Sequence, residues 1–438
     1  MSFPEAFCVR MKAMLGEEYD AFIAAFSEEV TYRGVRINTL KTGACEAVLS
    51  KLVNAEPISW CDDGYYADEG CISGRHAYHA AGLLYFQEPS AMAAVPLAGI
   101  KPGMRVLDLC AAPGGKATQA AAALCGEGFL VANEIIPKRA KILAENIERM
   151  GIKNAVVTNE TPERLLQKFP DFFDCIILDA PCSGEGMFRK EPQAVTEWSE
   201  AHSNTCAVRQ KYIADCAVGM LADGGRLIYS TCTFAPAENE GVAGYITDTY
   251  PEMALIEPEK RGLSDGFDEL ARTKRVFPHR ARGEGHFYAL FEKRGGNRAE
   301  PQSVKPVKSP EYEAFCKDNL KNPPKGILTA FGDRLYLLPE GISIDKIKVA
   351  RAGLELGEIR KGRFLPAHAL ALALSTEDFS KTVNFSAESD EIRRYLSGET
   401  LTADISGWCV VLADGFPLGW TKGSDGVLKN HYPKGLRQ

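Results

Sequence analysis

The stretch VLDLCAAPGGKATQAAAAL, residues 106–124, carries the most structural information in this chain. An apolar run ends at Asp108, a turn holds Pro113, Gly114 and Gly115, and an alanine-rich helical segment follows. Strand, glycine turn and helix in that order open an α/β sheet, whose ligands sit beyond the carboxyl ends of the strands. Glycines let the backbone approach a ligand, and a helix N-terminus offers free N–H groups. Three nucleotide readings compete for this turn. A phosphate-binding P-loop needs glycine at 110 and Ser or Thr at 117, where this chain has Cys110 and Ala117. A dinucleotide fingerprint needs G-x-G-x-x-G, which the turn does not supply. What remains is an adenosine ligand without a phosphate chain.

Glu134 agrees with that ligand. It ends the next apolar run, nineteen residues past Gly115, where an acid accepts hydrogen bonds from ribose hydroxyls. On its own such a residue is as often a solvated strand end; beside the glycine turn it points to an S-adenosylmethionine (AdoMet) pocket. Further apolar runs follow at FLVANE (129–134), AVVTNE (155–160), FDCIILDA (173–180), GRLIYSTC (225–232) and HFYALFEK (286–293). Helical patterns separate them, which predicts a parallel sheet covered on both faces. The expected fold is therefore α/β, a Rossmann-like core over residues 81–294, preceded by a small α+β domain over 1–80. The stretch 295–310, GGNRAEPQSVKPVKSP, reads as a linker. Beyond it, short strands and one Ala/Leu-rich helix predict small α+β modules over 311–380 and 381–438.

Composition narrows the class. The chain has 438 residues, 45% hydrophobic and 25% charged, which excludes wholly disordered, collagenous and coiled-coil proteins. No apolar run is long enough to span a bilayer, and the N-terminus lacks a signal-peptide pattern. Thirteen cysteines, an odd number without a C-x-x-C pair, argue against a disulfide framework and against zinc spacings. The chain reads as cytoplasmic and metal-free, and a monomer is assumed. A net charge of −7 means that a nucleic-acid partner must meet a local basic surface.

A second site emerges at two strand exits. LDAPCSGEG places Asp179 and Cys182 just after one apolar run, and YSTCT places Cys232 just after another. In a parallel sheet these exits share one rim with the glycine turn. Most cysteines are buried and inert; these two have Pro, Ser and Thr neighbours opposite a cofactor turn. A thiolate adds to electron-poor ring carbons. Cytosine is such a ring, because addition at C6 turns C5 into an enamine-like carbon able to take a methyl group. An acid near N3 would stabilise the ring charge, and a base must remove the C5 proton. These considerations leave open which cysteine does which task.

CAAPGGK, LDAPCSGEG and YSTCT together resemble the Sun/nucleolar family of RNA cytosine-C5 methyltransferases, and within it the bacterial ribosomal small-subunit methyltransferase F group. RINTLK (36–41), FQEPSAM (86–92), PHRARGEGHFYA (278–289) and the C-terminal GFPLGWTKGSDGVLKNHYPKGLR extend the likeness over most of the chain. The resemblance implies a class I AdoMet methyltransferase core, with Cys110, Ala111, Ala112, Pro113, Gly114, Gly115 and Lys116 around AdoMet and Glu134 on its ribose. It implies Asp179 between cofactor and cytosine, Cys232 as the nucleophile at C6, and Cys182 in breakdown of the adduct. Where the family carries an Asp near the adenine, this chain has Thr161, with Glu160 beside it.

The resemblance also implies that the N-terminal region and a PUA-like C-terminal module hold RNA, with 16S rRNA or the small subunit as first substrate and tRNA as second. From 272 to 298, Arg272, Lys274, Arg275, Arg280, Arg282, Lys293, Arg294 and Arg298 face only Glu284 and Glu292 in the same window. The C-terminus interleaves Lys422, Lys429, Lys434 and Arg437 with Trp420, His431 and Tyr432, which suits backbone contacts and base stacking. Arg189 and Lys190 are expected on phosphates beside a flipped cytosine. A non-catalytic ribosome-assembly factor is the reading from another class; it predicts loss of Cys232, Asp179 or the glycine turn, and none is lost. A dehydrogenase is disfavoured by the missing dinucleotide fingerprint.

Overall fold

Apolar on both sides, the central runs become strands buried on both faces of one sheet. The computed structural model describes residues 3–27, 32–68, 72–258, 262–267 and 270–438. Strands β1 (Arg105–Asp108), β2 (Phe129–Asn133), β3 (Ala155–Thr158), β4 (Phe173–Asp179) and β5 (Leu221–Thr231) lie parallel in the order β3-β2-β1-β4-β5. Their side chains alternate between two apolar layers. Leu107, Val131, Ile176 and Leu227 enter one; Val106, Leu130, Ile177 and Ile228 enter the other.

The run HFYALFEK departs from the parallel expectation. It forms β9 (His286–Lys293) and runs antiparallel to β5. The chain returns to it through β6 (Met253–Ile256), β7 (Ser264–Asp265) and β8 (Lys274–Val276), and β6 and β8 both pair antiparallel with β9. A tenth strand, β10 (Val349–Ala352), closes the other edge against β3. It comes from beyond the Gly/Pro/Ser/Lys stretch, which is itself held down. The Ala299 amide donates to Asp171 at 2.8 Å, and those of Gln302 and Val307 donate to Gly341 and Leu328 at 2.9 Å each.

The strand order reverses between β1, whose chain continues into β2, and β4 on its other side. That reversal opens a crevice at the carboxyl ends of β1 and β4. The N-terminal region adds a four-stranded antiparallel sheet, Gly34–Ile37 with Glu56–Ile58, Cys61–Tyr66 and Leu84–Gln87. The C-terminal region adds a four-stranded and a five-stranded sheet. N- and C-terminal ends share a core: Val35, Ile37 and Leu84 pack with Ile392, Val411 and Leu418. Among the described residues, no helix is long and apolar enough to cross a membrane.

Candidate active site

The glycine turn is held from outside. Gly114 opens the helix Gly115–Ala123 at φ +118°, a left-handed value, and a Cβ there would come 3.2 Å from Leu143 Cδ1. Arg139 and Asn146 donate to the Ala112 and Pro113 carbonyls, each at 2.9 Å. From the N-terminal sheet, buried Arg36 donates to the Gly115 carbonyl at 3.1 Å and to Thr118 Oγ1 at 2.5 Å. Ala111 and Ala112 are buried, and burial, with Asp108 adding to it, pushes the Cys110 thiol far up. Asp108, fully buried, carries two carboxyl oxygens with no hydrogen-bond partner among the described residues. Burial, and then the charge of Asp179, raises it to about 8.

Glu134 lies where the sequence puts it, at the end of β2, and is buried. One oxygen accepts the Ile136 amide at 2.9 Å, and the other pairs with Arg139 at 3.1 Å. At the end of β3, Thr161 caps the helix Pro162–Lys168, accepting the Arg164 amide at 3.4 Å. Glu160 is buried and accepts the Lys348 amide at 2.6 Å. Thr161 thus has a structural task at that strand end.

The strand exits of β4 and β5 meet. Cys182 Sγ and Cys232 Sγ lie 3.3 Å apart. The contact with Cys232, reinforced by burial, raises the Cys182 thiol well above its ordinary range. Asp179 sits beside them, its Oδ2 on Lys116 Nζ at 2.8 Å and its Oδ1 accepting the Ser230 hydroxyl at 2.7 Å. Burial works against its charge, yet the Lys116 ammonium and His286 hold it far below the usual carboxylate range. Lys116 is therefore the link between the two sites. It leaves the glycine turn and ends on the carboxylate at the thiol rim.

Glu238, fully buried, ties the two thiol loops together. It accepts the Ser183 amide at 3.0 Å, the Ser203 hydroxyl at 2.7 Å and the Gln210 amide group at 2.8 Å. Ser183 and Thr233 also share a hydroxyl contact at 2.9 Å. Glu238→Ala would orphan three donors, two of them buried (Ser203 and Gln210), and is expected to cost about 3 kcal/mol, at 1–3 kcal/mol per unsatisfied group with partial relaxation. Urea titration checks this; an unchanged midpoint would mean that water replaces the carboxylate.

Arg189, expected on a phosphate, has its guanidinium bonded within the protein. Its guanidinium is 6% exposed, bonded to Glu284 at 2.8 Å and to the Ala25 carbonyl at 3.1 Å. Lys190 is 3.5 Å from the same Glu284. Counting acids within residues 272–298 likewise misjudged that segment, because the neutralising groups come from elsewhere. Lys274 pairs with Glu257 and Asp265, Arg275 with Glu240, Arg280 with Glu18, and Arg282 with Glu56. Lys293 pairs with Asp171 and Arg298 with Asp174. Trp420 and Tyr432 are core residues, 2% and 5% exposed. The aromatic groups nearer solvent are Trp408 and His431, 4.6 Å apart, with Lys422 Nζ 5.2 Å from the Trp408 ring.

With this geometry in place, comparison with known proteins is decisive. Residues 97–292 match the family model for 16S rRNA methyltransferase RsmB/F. Residues 3–89 match the N-terminal domain of 16S rRNA methyltransferase RsmF, 314–374 its first C-terminal domain, and 382–438 the RsmF PUA domain. The ribosomal RNA small subunit methyltransferase F of Escherichia fergusonii is 33% identical over 99% of this chain and 96% of its own length. This chain belongs to the RsmF family. An Escherichia coli RsmF is 32% identical over the same shares. Among solved structures, a methyltransferase homologue from Pyrococcus horikoshii is 26% identical, with a TM-score of 0.59 over 67% of this chain and 96% of that one. NSun6 from Pyrococcus horikoshii, solved with SFG, shares the fold at 22% identity, TM-score 0.58, over 67% of this chain and 99% of its own.

Within the RsmF frame, sequence reasoning missed several groups at the thiol rim. His286 Nε2 is 3.7 Å from Asp179 Oδ1, and Glu88 and Ser90 stand behind it. They lie inside two stretches that carry the family likeness, FQEPSAM and GEGHFYA. Nothing in a single sequence shows that residues 196 positions apart meet. Among the described residues, no group of His, Cys, Asp and Glu is arranged to hold a metal.

Proposed function

We propose that this chain transfers a methyl group from AdoMet to C5 of a cytosine in 16S rRNA, with Cys232 as the nucleophile at C6, Cys182 in release and Asp179 at the base. The observation that carries this reading is the pair of thiols 3.3 Å apart beside a carboxylate tied to the cofactor turn. The residues fit AdoMet. An unpartnered buried carboxyl, Asp108, stands next to the glycine turn that opens the helix Gly115–Ala123, and Glu134 lies at the neighbouring strand end. When bound, AdoMet supplies an electrophilic methyl on a sulfonium. The residues that would hold it are Cys110 to Lys116, Asp108 and Glu134.

The protein's own groups divide the remaining work. The family likeness assigns the attack on C6 to Cys232, and the 3.3 Å contact places Cys182 Sγ against that sulfur. Asp179, held ionised by Lys116, is placed to bind the N3–N4 edge of the ring. Lys116 keeps the carboxylate fixed with respect to the cofactor turn, which sets C5 and the methyl donor in one geometry. The flanking domains hold the RNA, and the chain acts as a monomer in the cytoplasm. A base in a duplex or stack cannot reach this rim, so the target cytosine is extruded.

The test is transfer of labelled methyl from AdoMet to 16S rRNA, 30S subunits and tRNA, with 5-methylcytosine identified in the digested product. Cys182→Ala is expected to leave a protein–RNA adduct stable on a denaturing gel, because addition proceeds and release stalls. Label on tRNA alone would move the substrate. RNA binding without label on any substrate would favour an assembly factor.

A further inference from the structure

The two thiol loops are held together a second time, from the side of the N-terminal region. Cys182 and Cys232 leave the neighbouring strands β4 and β5, and the segment after Cys182 reads Ser-Gly-Glu-Gly, too rich in glycine to keep a shape unaided. Glu185 and Gly186 fix it around Cys232. The Gly186 amide donates to the Cys232 carbonyl at 2.8 Å, an approach so close that a Cβ at 186 would come 2.9 Å from that oxygen. Glu185, fully buried, accepts the Phe234 amide on Oε2 at 3.0 Å. Its Oε1 accepts from Trp198 Nε1 at 2.8 Å and from Arg10 Nη2 at 2.6 Å. Arg10 belongs to the helix Glu5–Leu15 of the N-terminal region. Its guanidinium carbon lies 5.5 Å from the centres of the Phe7 and Trp198 rings. The N-terminal helices also pack onto both loops. Phe7 meets Phe188 with ring centroids 5.3 Å apart, and Phe22, on the helix Tyr19–Ser27, meets Phe234 at 5.1 Å. Glu238 ties the loops through groups of the core alone; Glu185 ties them to the N-terminal helix.

We propose that Glu185 and Arg10 are positioning residues through which the N-terminal helix sets the approach of Cys232 to Cys182. This rests on the reading of the two cysteines given above and deepens it. A fully buried carboxyl with three N–H donors is a rigid joint, because any donor that let go would stay unsatisfied. Glu185 stands three residues past Cys182, and Phe234 two past Cys232, so one joint holds both thiol loops in register. Arg10 anchors it. Without the guanidinium, Oε1 keeps only the Trp198 indole, and the buried carboxyl loses its ion partner. The N-terminal region then works on the chemical step. A domain that only holds RNA acts on KM; one that sets the nucleophile against the thiol needed for release acts on kcat.

Two variants test the joint. Arg10→Met keeps an apolar stem between Phe7 and Trp198 and removes the charge. Glu185→Gln keeps the shape but accepts on one oxygen only, so one set of donors loses its partner. The Arg10 side chain is 22% exposed, so that variant folds even where Glu185→Gln does not. The first readout needs neither RNA nor methyl transfer. The whole protein is treated with the azo oxidant diamide, which joins two thiols as a disulfide and is itself reduced to the hydrazine. Mass spectrometry follows the linked Cys182–Cys232 peptides, whose rate of formation reports how often the sulfurs meet. That rate is expected to fall about tenfold in both variants, as the effective concentration of one thiol at the other drops. The second readout is kcat and KM for methyl transfer to 16S rRNA, with AdoMet affinity by calorimetry as the folding control. A fall of about 10²-fold in kcat is expected, the scale of a misplacement of about 1 Å, with KM and AdoMet affinity within about twofold. Either readout at its wild-type value in Arg10→Met would overturn the proposal, whatever the melting temperature does. So would a raised KM at unchanged kcat, which would make Arg10 an RNA contact, and so would a wild type that yields no linked peptide. A wild type that makes no 5-methylcytosine, yet whose linkage slows in both variants, would remove the parent reading and support the joint.

Discussion

Cys232→Ala is expected to lower kcat for methyl transfer by about 10⁴-fold or more, because a covalent route has no substitute once its nucleophile is gone. Little else should change. The Cys232 carbonyl still accepts the Gly186 amide at 2.8 Å, and the neighbouring Thr233 hydroxyl still meets Ser183, so the loop keeps its shape. AdoMet should therefore still raise the melting temperature of the variant, as any ligand selective for the folded state does. The informative comparison is with Cys182→Ala. The two sulfurs are in contact, so geometry alone treats them almost alike, yet the two variants should fail differently: no adduct without Cys232, a trapped adduct without Cys182. Loss of adduct in Cys182→Ala, with activity retained in Cys232→Ala, would exchange their roles.

The contrast between the thiols and Arg189 shows what a sequence discloses about such a site. Cys182 and Cys232 were legible because strand exits in a parallel sheet share a rim, so two local patterns fix a distant meeting. The glycine turn was legible for the same reason: strand, turn and helix are contiguous, and turn chemistry is local. Arg189 lies just after the Cys182 loop and looked like a phosphate contact. Its partner, Glu284, is 95 residues away, just before the antiparallel strand β9. The basic run from 272 to 298 fails on the same ground, since Glu18, Glu56, Asp171 and Glu240 neutralise it from outside the window. Surface charge is a tertiary property, and a window of sequence counts only the charges inside it.

Strand β10 is a related case. Four residues from beyond the apparent linker join the central sheet through pairing with β3, and no pattern in VARA announces a partner almost two hundred positions earlier. His286 escaped notice for a different reason. A lone histidine near the end of an apolar stretch is most often a packed residue, and only the distance to Asp179 separates it from that description.

Asp179→Asn is expected to cost about 10³-fold in kcat and about 2 kcal/mol in stability, two effects with separate origins. The amide keeps the shape and can still accept the Ser230 hydroxyl, but it removes the charge that faces Lys116 at 2.8 Å. The Lys116 side chain is only 9% exposed, and orphaning a buried charge costs 3–5 kcal/mol. The lower figure applies here because the Asp179 side chain keeps a third of its surface, so water screens part of the loss. Urea titration measures this part. The kinetic loss comes from the ring: an ionised carboxylate accepts from the N4 amino group and faces the positive charge that develops on the N3–N4 edge as C5 takes the methyl, and a neutral amide lacks that charge, a deficit of the size seen when a transition-state contact is removed. The double variant Asp179→Asn, Lys116→Met separates the two. Removing the orphaned ammonium should recover most of the stability and none of the rate. If the rate returned with the stability, Asp179 would be serving only as the counter-ion of Lys116, and the group that handles the cytosine would have to be sought elsewhere on the rim.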